Sequence, residues 1–453
     1  MLPPRVIKAI IKIVGKDFFS DKKEDLLCYA YDATQKSHLP DAVVFPGSAK
    51  EISNIIKLAN DYHFAVTPRG AGSGMAGGSV PIKKGVVLAL TRLNRILEID
   101  EKNLYVWVEP GVITGDLQQA VAEKGLFYPP DPASLSFSTI GGNVATCAGG
   151  ARAVKYGVTK DYVLALEIVL PTGEIIYTGK KTVKGVSGYD LVPLFVGSEG
   201  TLGIFTKILL RLLPLPPQRG TILLNIKNLK ILPDLLVKLL YLPERPTAIE
   251  FMDDLCRECL KEKFSFSLPP GEGLLLLEAD GSEREVDFIL DTIITIAKTL
   301  NIEIIAKEKG EKNELWEIRR ALSPAIFKFG ERKRNYDIVV PYKNILTMIL
   351  YLKKIREKYG FFILCFGHIG DGNLHVNILY DAQKEDKVEE IAKKIIKKTL
   401  NLEGSISGEH GIGFKNITYL SWEIKPHTLF LMQKIKQFFD PNNILNPGKI
   451  FPL

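Results

Sequence analysis

Half of the ten residues Arg69-Gly-Ala-Gly-Ser-Gly-Met-Ala-Gly-Gly78 are glycine, the densest run of that residue in the chain. The apolar Phe64-Ala-Val-Thr-Pro68 before it reads as a strand. A strand running into such a loop leaves backbone N–H groups close together with no side chains in the way, which is how proteins cradle a phosphate or pyrophosphate. Gly-Lys-Ser/Thr is absent, so this is not a Walker loop. No clear helix opens from the glycines, so it is not a good Rossmann fingerprint either. A glycine loop alone is also what a plain turn looks like. A second long stretch weighs against that: Tyr128-Pro-Pro-Asp-Pro-Ala-Ser134, then Ser138-Thr-Ile-Gly-Gly-Asn143 and Ala148-Gly-Gly150, without an obvious regular element. Loops this long inside a compact domain are usually functional. Two loops of small residues suggest an extended cofactor lying between them.

At 453 residues the chain is too long for one core, and two or three domains are expected. In the first half, residues 1–39 read as helical and polar, and Asp41–Pro46 as a short buried strand. Ser48 with Glu51 forms a capping-box pattern before a helix reaching His63. Strands follow at Gly85–Leu90 and Tyr105–Glu109, a helix at Gly111–Gly125, and a hairpin over Val163–Tyr177 turning at Pro171-Thr-Gly173. Leu213-Pro-Leu-Pro-Pro217 is a proline-rich break. Beyond it, strands (Gly220–Ile226, Gly273–Ala279) alternate with amphipathic helices (Leu232–Tyr241, Val286–Leu300), which predicts helices covering an antiparallel sheet. The expected division is 1–213, 214–404 and a C-terminal segment 405–453.

The net charge of +7, from 59 basic and 52 acidic residues, is spread along solvated helix faces, and no basic block carries interleaved aromatics; nucleic acid is not an expected partner. Five cysteines, an odd number, fit a reducing compartment rather than a disulfide framework. Cys256 and Cys259 form a lone C-x-x-C in a segment that reads as helical, Asp253–Lys263, and read as ordinary thiols. No apolar h-region follows Met1, and no apolar run reaches the ~18 residues of a membrane span. A cytoplasmic protein is expected, alone or bound to a membrane partner.

Three of the six histidines fall in two short segments, Phe366-Gly-His-Ile-Gly-Asp-Gly-Asn-Leu-His-Val-Asn377 and Ser407-Gly-Glu-His-Gly-Ile-Gly413. Apolar runs flank Gly-Asp-Gly-Asn, predicting strand, turn, strand, with His368 and His375 near each other. Asn377, two residues beyond His375, points to the same face of its strand. Glu409 adds a carboxylate from a glycine-flanked loop. Two imidazoles and a carboxylate suit zinc, iron or manganese; a polar hairpin with surface histidines is the bland alternative.

Taken together, the chain resembles the FAD-linked oxidoreductases of the vanillyl-alcohol oxidase/p-cresol methylhydroxylase type, and within them the branch of D-lactate dehydrogenase and the glycolate oxidase flavin subunit. The motifs carrying the likeness are Pro68–Gly74, Asp131–Asn143, Phe195-Val-Gly-Ser-Glu-Gly-Thr-Leu-Gly203, Trp316-Glu-Ile-Arg-Arg320, both histidine segments, and Phe439-Asp-Pro-Asn-Asn-Ile-Leu-Asn-Pro-Gly448. The resemblance implies an α+β fold: an FAD-binding domain of two α/β subdomains, and an α+β cap domain with an antiparallel sheet. It implies non-covalent FAD, since Arg69–Gly78 holds neither His nor Cys. The implied cofactor residues are Arg69, Gly70, Ala71, Gly72, Ser73 and Gly74 in the first loop, and Ser134, Ser138, Thr139, Gly141, Gly142 and Asn143 in the second. Gly149, Gly150, Tyr156 and Gly157 follow, then Glu199, Gly200, Ile204 and Asn446. The metal would sit at His368, His375 and Glu409, with His410 the general base, Arg319 on the substrate carboxylate and Asn377 beside them. Arg320 is the alternative to Arg319, because adjacent helix positions point ~100° apart. His410 as ligand with Glu409 as base is the alternative to the metal assignment.

There are departures. Cys147 stands where relatives commonly carry Asn, which puts one flavin hydrogen bond in doubt. Residues 330–336 do not place a substrate lysine cleanly.

The implied activity is oxidation of a small 2-hydroxy acid to the 2-oxo acid. FAD accepts the hydride, and the metal acidifies the hydroxyl. No cluster-binding cysteine pattern is present, so a separate acceptor is expected: an iron–sulfur protein, an electron-transfer flavoprotein or a quinone. Two other readings stay open, a non-redox relative such as alkyl-dihydroxyacetone-phosphate synthase and a non-catalytic FAD-binding subunit.

Overall fold

A computed structural model describes residues 2–261, 263–264, 268–310 and 314–452. The chain forms two compact units. One comprises Met1–Ala148, Val158–Leu215 and Glu409–Leu453, the other Gly149–Gly157 and Pro216–Gly408.

The first unit holds two sheets. Strands Ala42–Val44, Val86–Ala89 and Val66–Arg69 lie parallel in that order, and Phe19–Ser20 adds an antiparallel edge. The helix Ala49–Tyr62 starts where the capping box predicts: Ser48 Oγ accepts from Glu51 N at 3.2 Å, and Glu51 Oε2 accepts from Gly47 N at 2.8 Å. Its Ile52, Ile55, Ile56 and Ala59, spaced for one helix face, join Val44, Val66, Val86 and Leu88 in an apolar core. Val6 and Ile10 of the helix Pro4–Val14 enter the same core.

The second sheet is antiparallel, in the order Ile96–Asp100, Tyr105–Val108, Ile204–Arg211, Val163–Val169, Ile175–Gly179. Its last two strands form the expected hairpin, with Gly173 at φ +84° in the turn. One stretch differs from the sequence reading: residues 138–143 are not irregular but lead into a short helix, Ile140–Thr146. Thr139 caps it, its Oγ1 accepting from Gly142 N at 3.3 Å. Gly141 and Gly142, both poor helix formers, mask it in the sequence.

The second unit is built on seven strands. Their order is Glu303–Lys309, Gln218–Ile226, Gly273–Gly281, Ala248–Asp253, Phe362–His368, Asn373–Tyr380, Arg332–Val339, every neighbouring pair antiparallel. Helices Asp254–Leu260 and Glu314–Ala325 bring Cys256, Leu315, Trp316 and Leu322 onto one face, against Leu223, Leu276, Leu364 and Phe366. Helices Glu283–Thr299, Ile345–Tyr359 and Glu385–Asn401 also pack on the sheet. The short piece Gly149–Gly157 is held in this unit by buried polar bonds. Lys155 Nζ lies 2.6 Å from Asp280 Oδ1, and the Tyr156 and Thr247 hydroxyls donate to the same oxygen at 2.8 and 2.6 Å. Among the described residues no helix is long and apolar enough to cross a membrane.

Leu276 sits in mid-sheet, fully buried in the cluster under the two helices. Leu276→Ala should therefore lower the unfolding free energy by about 2–5 kcal/mol in a denaturant titration, the range for a buried leucine whose cavity cannot collapse.

Candidate functional site

In the second unit, four adjacent strands place a row of polar side chains on one face of the sheet. Directly paired residues of antiparallel strands point to the same side, and the register reads Glu250 opposite His368, Phe366 opposite His375, and His375 opposite Asp337. One turn of 3-10 helix, Ile369–Asp371, joins the two histidine strands. Its closing Gly372 has φ +73°, and a Cβ there would overlap the Val340 carbonyl oxygen, so glycine is required.

The imidazoles of His368 and His375 meet with their Nε2 atoms 3.4 Å apart, rings perpendicular at 90°. Behind each ring stands a carboxylate. Glu250 Oε1 bonds His368 Nδ1, and Asp337 Oδ1 lies 3.5 Å from His375 Nδ1. Carboxylates facing both Nδ1 atoms favour the proton there and leave an unprotonated Nε2 on each neutral ring. Two such lone pairs at 3.4 Å repel unless a cation lies beside them. Carboxylate-backed imidazoles sharing one focus are a donor set that fits a divalent metal.

The sequence-expected residues distribute around this pair. Asn377 lies on the His375 side of its strand and is fully enclosed. Its Nδ2 donates to the His375 carbonyl at 3.2 Å, and its Oδ1 accepts from Asn335 Nδ2 at 3.0 Å. Arg319, from the helix Glu314–Ala325, is paired neither with Glu314 nor with Glu317. Its Nε and Nη2 reach Glu250 Oε2 at 3.0 and 2.7 Å, and its guanidinium lies over the Phe366 ring at 4.8 Å. Glu250 is buried, which by itself would raise its pKa, but the hydrogen bond from His368 and the Arg319 guanidinium outweigh that and hold it below the usual carboxylate range. Asp337 accepts from Asn373 Nδ2 at 2.7 Å and from Gly408 N at 2.9 Å. Glu409 and His410 follow Gly408 directly in the chain.

Of the stretch without a clean substrate lysine, Arg332–Val339 is a strand. Lys333 is half-buried in it, its pKa lowered by burial, and Arg334 pairs with Glu385. Sequence reasoning missed Glu250 and Asp337. The available signal was a single carboxylate inside each apolar strand, Ala-Ile-Glu-Phe-Met and Tyr-Asp-Ile-Val-Val; charges there are almost never buried unpaired.

The first small-residue loop, and the second as far as Ala148, lie in the first unit. Gly72 has φ +73°, and a Cβ on Gly70 would overlap Thr139 Oγ1 in the second loop, so the loops touch through a glycine. A Cβ on Gly74 would meet nothing within 4 Å, leaving open backbone. Ala71 is exposed, Ser73 and Ser134 are partly so, and Gly141 backs onto Pro110. The Ser138 and Thr114 hydroxyls lie 3.0 Å apart, and Asn143 Nδ2 donates to Thr114 Oγ1 at 2.7 Å. Such bare, closely approached backbone fits a pyrophosphate-bearing cofactor.

Arg69 has a different setting: its Nη1 donates to the Tyr31 carbonyl at 2.6 Å, and burial lowers its pKa. Of the other expected cofactor residues, Gly149, Gly150, Tyr156 and Gly157 belong to the second unit. Ile204 is buried at the start of its strand. Cys147 caps the helix Ile140–Thr146 at φ +53°, a backbone conformation that asparagine tolerates better, and burial raises its thiol pKa. Cys256 and Cys259 are buried thiols pushed upward in pKa, Cys259 to about 11.

Glu199 and Gly200 take consecutive left-handed backbones, φ +52° and +69°. Asn446 Nδ2 ties this turn to the first glycine loop, donating to Glu199 O at 2.8 Å and to Gly78 O at 2.9 Å. The Glu199 carboxylate accepts from Ile412 N and Gly413 N, each at 2.7 Å, which fixes the loop that begins with Glu409 and His410. Glu409 Oε1 and His410 Nε2 lie 3.8 Å apart.

Comparison with known proteins agrees with both halves. The family described as "FAD linked oxidases, C-terminal domain" matches residues 215–450, and the family "FAD binding domain" matches residues 40–179. The chain is 39% identical to the glycolate oxidase subunit GlcD of Bacillus subtilis (strain 168), over 100% of this chain and 97% of that protein. It is 38% identical to the D-lactate dehydrogenase of Anaerostipes hadrus, over 91% of this chain and 89% of that one. The crystal structure of p-cresol methylhydroxylase with substrate bound superposes with a TM-score of 0.83 at 17% identity, covering 99% of this chain and 96% of the other.

Burial raises the Glu199 pKa from 4.5 to about 6, against the pull of its two N–H donors and Lys449. The folded protein thus holds this proton to higher pH than the unfolded chain. The group favours folding below its unfolded pKa, and that stabilisation is withdrawn as pH rises from about 4.5 to about 6. Relative to wild type, Glu199→Gln should gain about 2 kcal/mol of stability across that interval, read from denaturant titrations at a series of pH values.

Proposed function

The chain belongs to the family of FAD-linked oxidases, and on that premise we propose that it oxidises a small 2-hydroxy acid of the D-lactate or glycolate class to the 2-oxo acid, with a divalent metal at His368, His375 and Glu409. It is an FAD-dependent oxidoreductase of mixed α+β fold, with an FAD-binding domain and a cap domain bearing an antiparallel sheet. The observation that carries the substrate and metal reading is the imidazole pair, its Nε2 atoms 3.4 Å apart and each ring backed by a carboxylate. Asp337, His375, Glu409 and His410 supply donors of the kind such an ion takes. The names of the relatives, glycolate oxidase subunit and D-lactate dehydrogenase, support the substrate class.

Oxidising an α-hydroxy acid requires a proton taken from the hydroxyl, a hydride taken from Cα and a carboxylate held still. FAD, when bound, supplies the acceptor for the hydride. A divalent metal, when bound, acidifies a neighbouring hydroxyl. His410 takes the hydroxyl proton on an imidazole nitrogen, which is basic near neutral pH. Glu409 Oε1 and His410 Nε2 lie 3.8 Å apart; the carboxylate would hold the metal, and the imidazole beside it is assigned to the substrate hydroxyl. Glu250 occupies the Nε edge of Arg319, and the other edge of that guanidinium takes the substrate carboxylate. Asn377 holds the His375 backbone through its carbonyl. The boundaries of the cap and of the segment returning to the flavin are taken as 214–404 and 405–453. Electrons leave through a separate acceptor, an iron–sulfur protein, an electron-transfer flavoprotein or a quinone. The five free cysteines fit a reducing, cytoplasmic setting.

Purified protein should reduce an artificial dye with at least one of D-lactate, glycolate and D-2-hydroxyglutarate. A chelator should abolish turnover while leaving the flavin spectrum nearly unchanged. Flavoprotein that reduces no dye with any 2-hydroxy acid would favour a non-redox relative or a carrier subunit instead. Acid precipitation should release all yellow colour, since no His or Cys stands in Arg69–Gly78 to tether the flavin.

His410→Ala should keep metal and FAD but slow flavin reduction ~10²–10⁴-fold, the usual loss for a general base. Glu409→Ala should lose the metal. The reverse pattern of metal loss would exchange the two roles.

A further inference from the structure

We propose that Glu250 is the positioning residue of the histidine pair: it fixes the tautomer of His368 so that a bare Nε2 faces His375, and it anchors that ring to Arg319. The inference rests on the metal reading above and extends it to a residue outside the ligand set.

Glu250 lies in mid-strand in Ala248–Asp253, directly across the register from His368. Its side chain is 1% exposed, so the carboxylate reaches no bulk water. Its two oxygens divide their partners: Oε1 bonds His368 Nδ1, and Oε2 accepts from Arg319 Nε and Nη2 at 3.0 and 2.7 Å. An ionised carboxylate only accepts. A neutral His368 therefore carries its proton on Nδ1, and its other nitrogen presents a lone pair. A charged acceptor behind an imidazole also makes that ring a stronger donor towards a metal.

Arg319 completes the device. A carboxylate buried alone would be too costly to stay charged, and the guanidinium supplies the compensating charge. Stacking over Phe366, at 4.8 Å, holds that guanidinium in place. Phe366 is two residues before His368 on the same strand face. One short stretch of strand thus carries both the ring that is oriented and the ring that supports its anchor. The His375 side is built less tightly, with Asp337 at 3.5 Å and shared with Asn373 and Gly408. Glu250 is the stronger determinant of tautomer at the pair.

The test uses full-length flavoprotein with ¹⁵N-labelled histidines, of which the chain has six. Wild type freed of metal should have His368 as the Nδ1–H tautomer in side-chain ¹⁵N spectra. In Glu250→Gln that signal should shift towards Nε2–H, or to a mixture. Titration with Zn²⁺ or Mn²⁺ should give ~10–100-fold weaker binding than wild type, the usual effect of losing a partner behind a ligand. FAD content should be unchanged. Because Glu250→Gln leaves Arg319 buried without its counter-ion, the double variant Glu250→Gln, Arg319→Gln is made in parallel; it replaces the ion pair by two neutral amides and should lose metal affinity to a similar degree. Wild-type affinity in either folded variant, or an Nε2–H tautomer in wild type, would overturn the inference. Wild-type protein that binds neither metal would overturn the metal reading, and this inference with it.

Discussion

Antiparallel register is the constraint from which the second unit's chemistry follows. Side chains directly opposite on antiparallel strands share a face, and a slip of one residue would turn each to the other side. With Glu250 set across from His368, and His375 between Phe366 and Asp337, four strands deliver two carboxylates and two imidazoles to one patch. The register itself is held by apolar matching. On the same face Met252, Leu274, Leu364 and Phe366 enter the core beneath the helices Asp254–Leu260 and Glu314–Ala325. The polar row thus depends on the hydrophobic one: slipping the strands to separate the histidines would also expose that core.

The first unit solves a different problem, holding glycine-rich backbone still without side chains to pack. It does so with buried polar ties drawn from distant parts of the sequence. Asn446 bonds the carbonyls of Gly78 and Glu199, and Lys449 Nζ donates to Val80 O at 2.6 Å, its pKa lowered by burial to about 8. The tail then pairs with a strand of the parallel sheet, Asn446 N donating to Val66 O and Val66 N to Ile444 O, both at 2.8 Å. Val66–Arg69 leads straight into the glycine loop, so the C-terminal tail braces the root of that loop.

Much of this was legible in the sequence because the signals are local. Ser48 and Glu51 mark a helix start, Pro171-Thr-Gly173 marks a hairpin, and Gly-Asp-Gly-Asn between two apolar runs marks the turn that joins the histidine strands. What escaped has physical reasons. The helix Ile140–Thr146 has two glycines in its first turn and owes its start to the Thr139 cap and to packing against Pro110. Glu250 and Asp337 look like stray charges until strand order is known, because pairing across a sheet leaves no trace in spacing along the chain. Arg319 was placed on its helix, but its partner lies 69 residues away in sequence, beyond any periodicity.

We propose that the carboxylate-backed histidine pair holds a divalent cation. The most direct measurement is anomalous X-ray scattering from crystals of the protein purified without chelator, recorded above and below the absorption edges of zinc, iron and manganese. A single anomalous peak is expected beside both Nε2 atoms of His368 and His375, present above one edge and lost below it. An empty density map there, with the two imidazoles joined by an N–H···N hydrogen bond in fully active crystals, would contradict it.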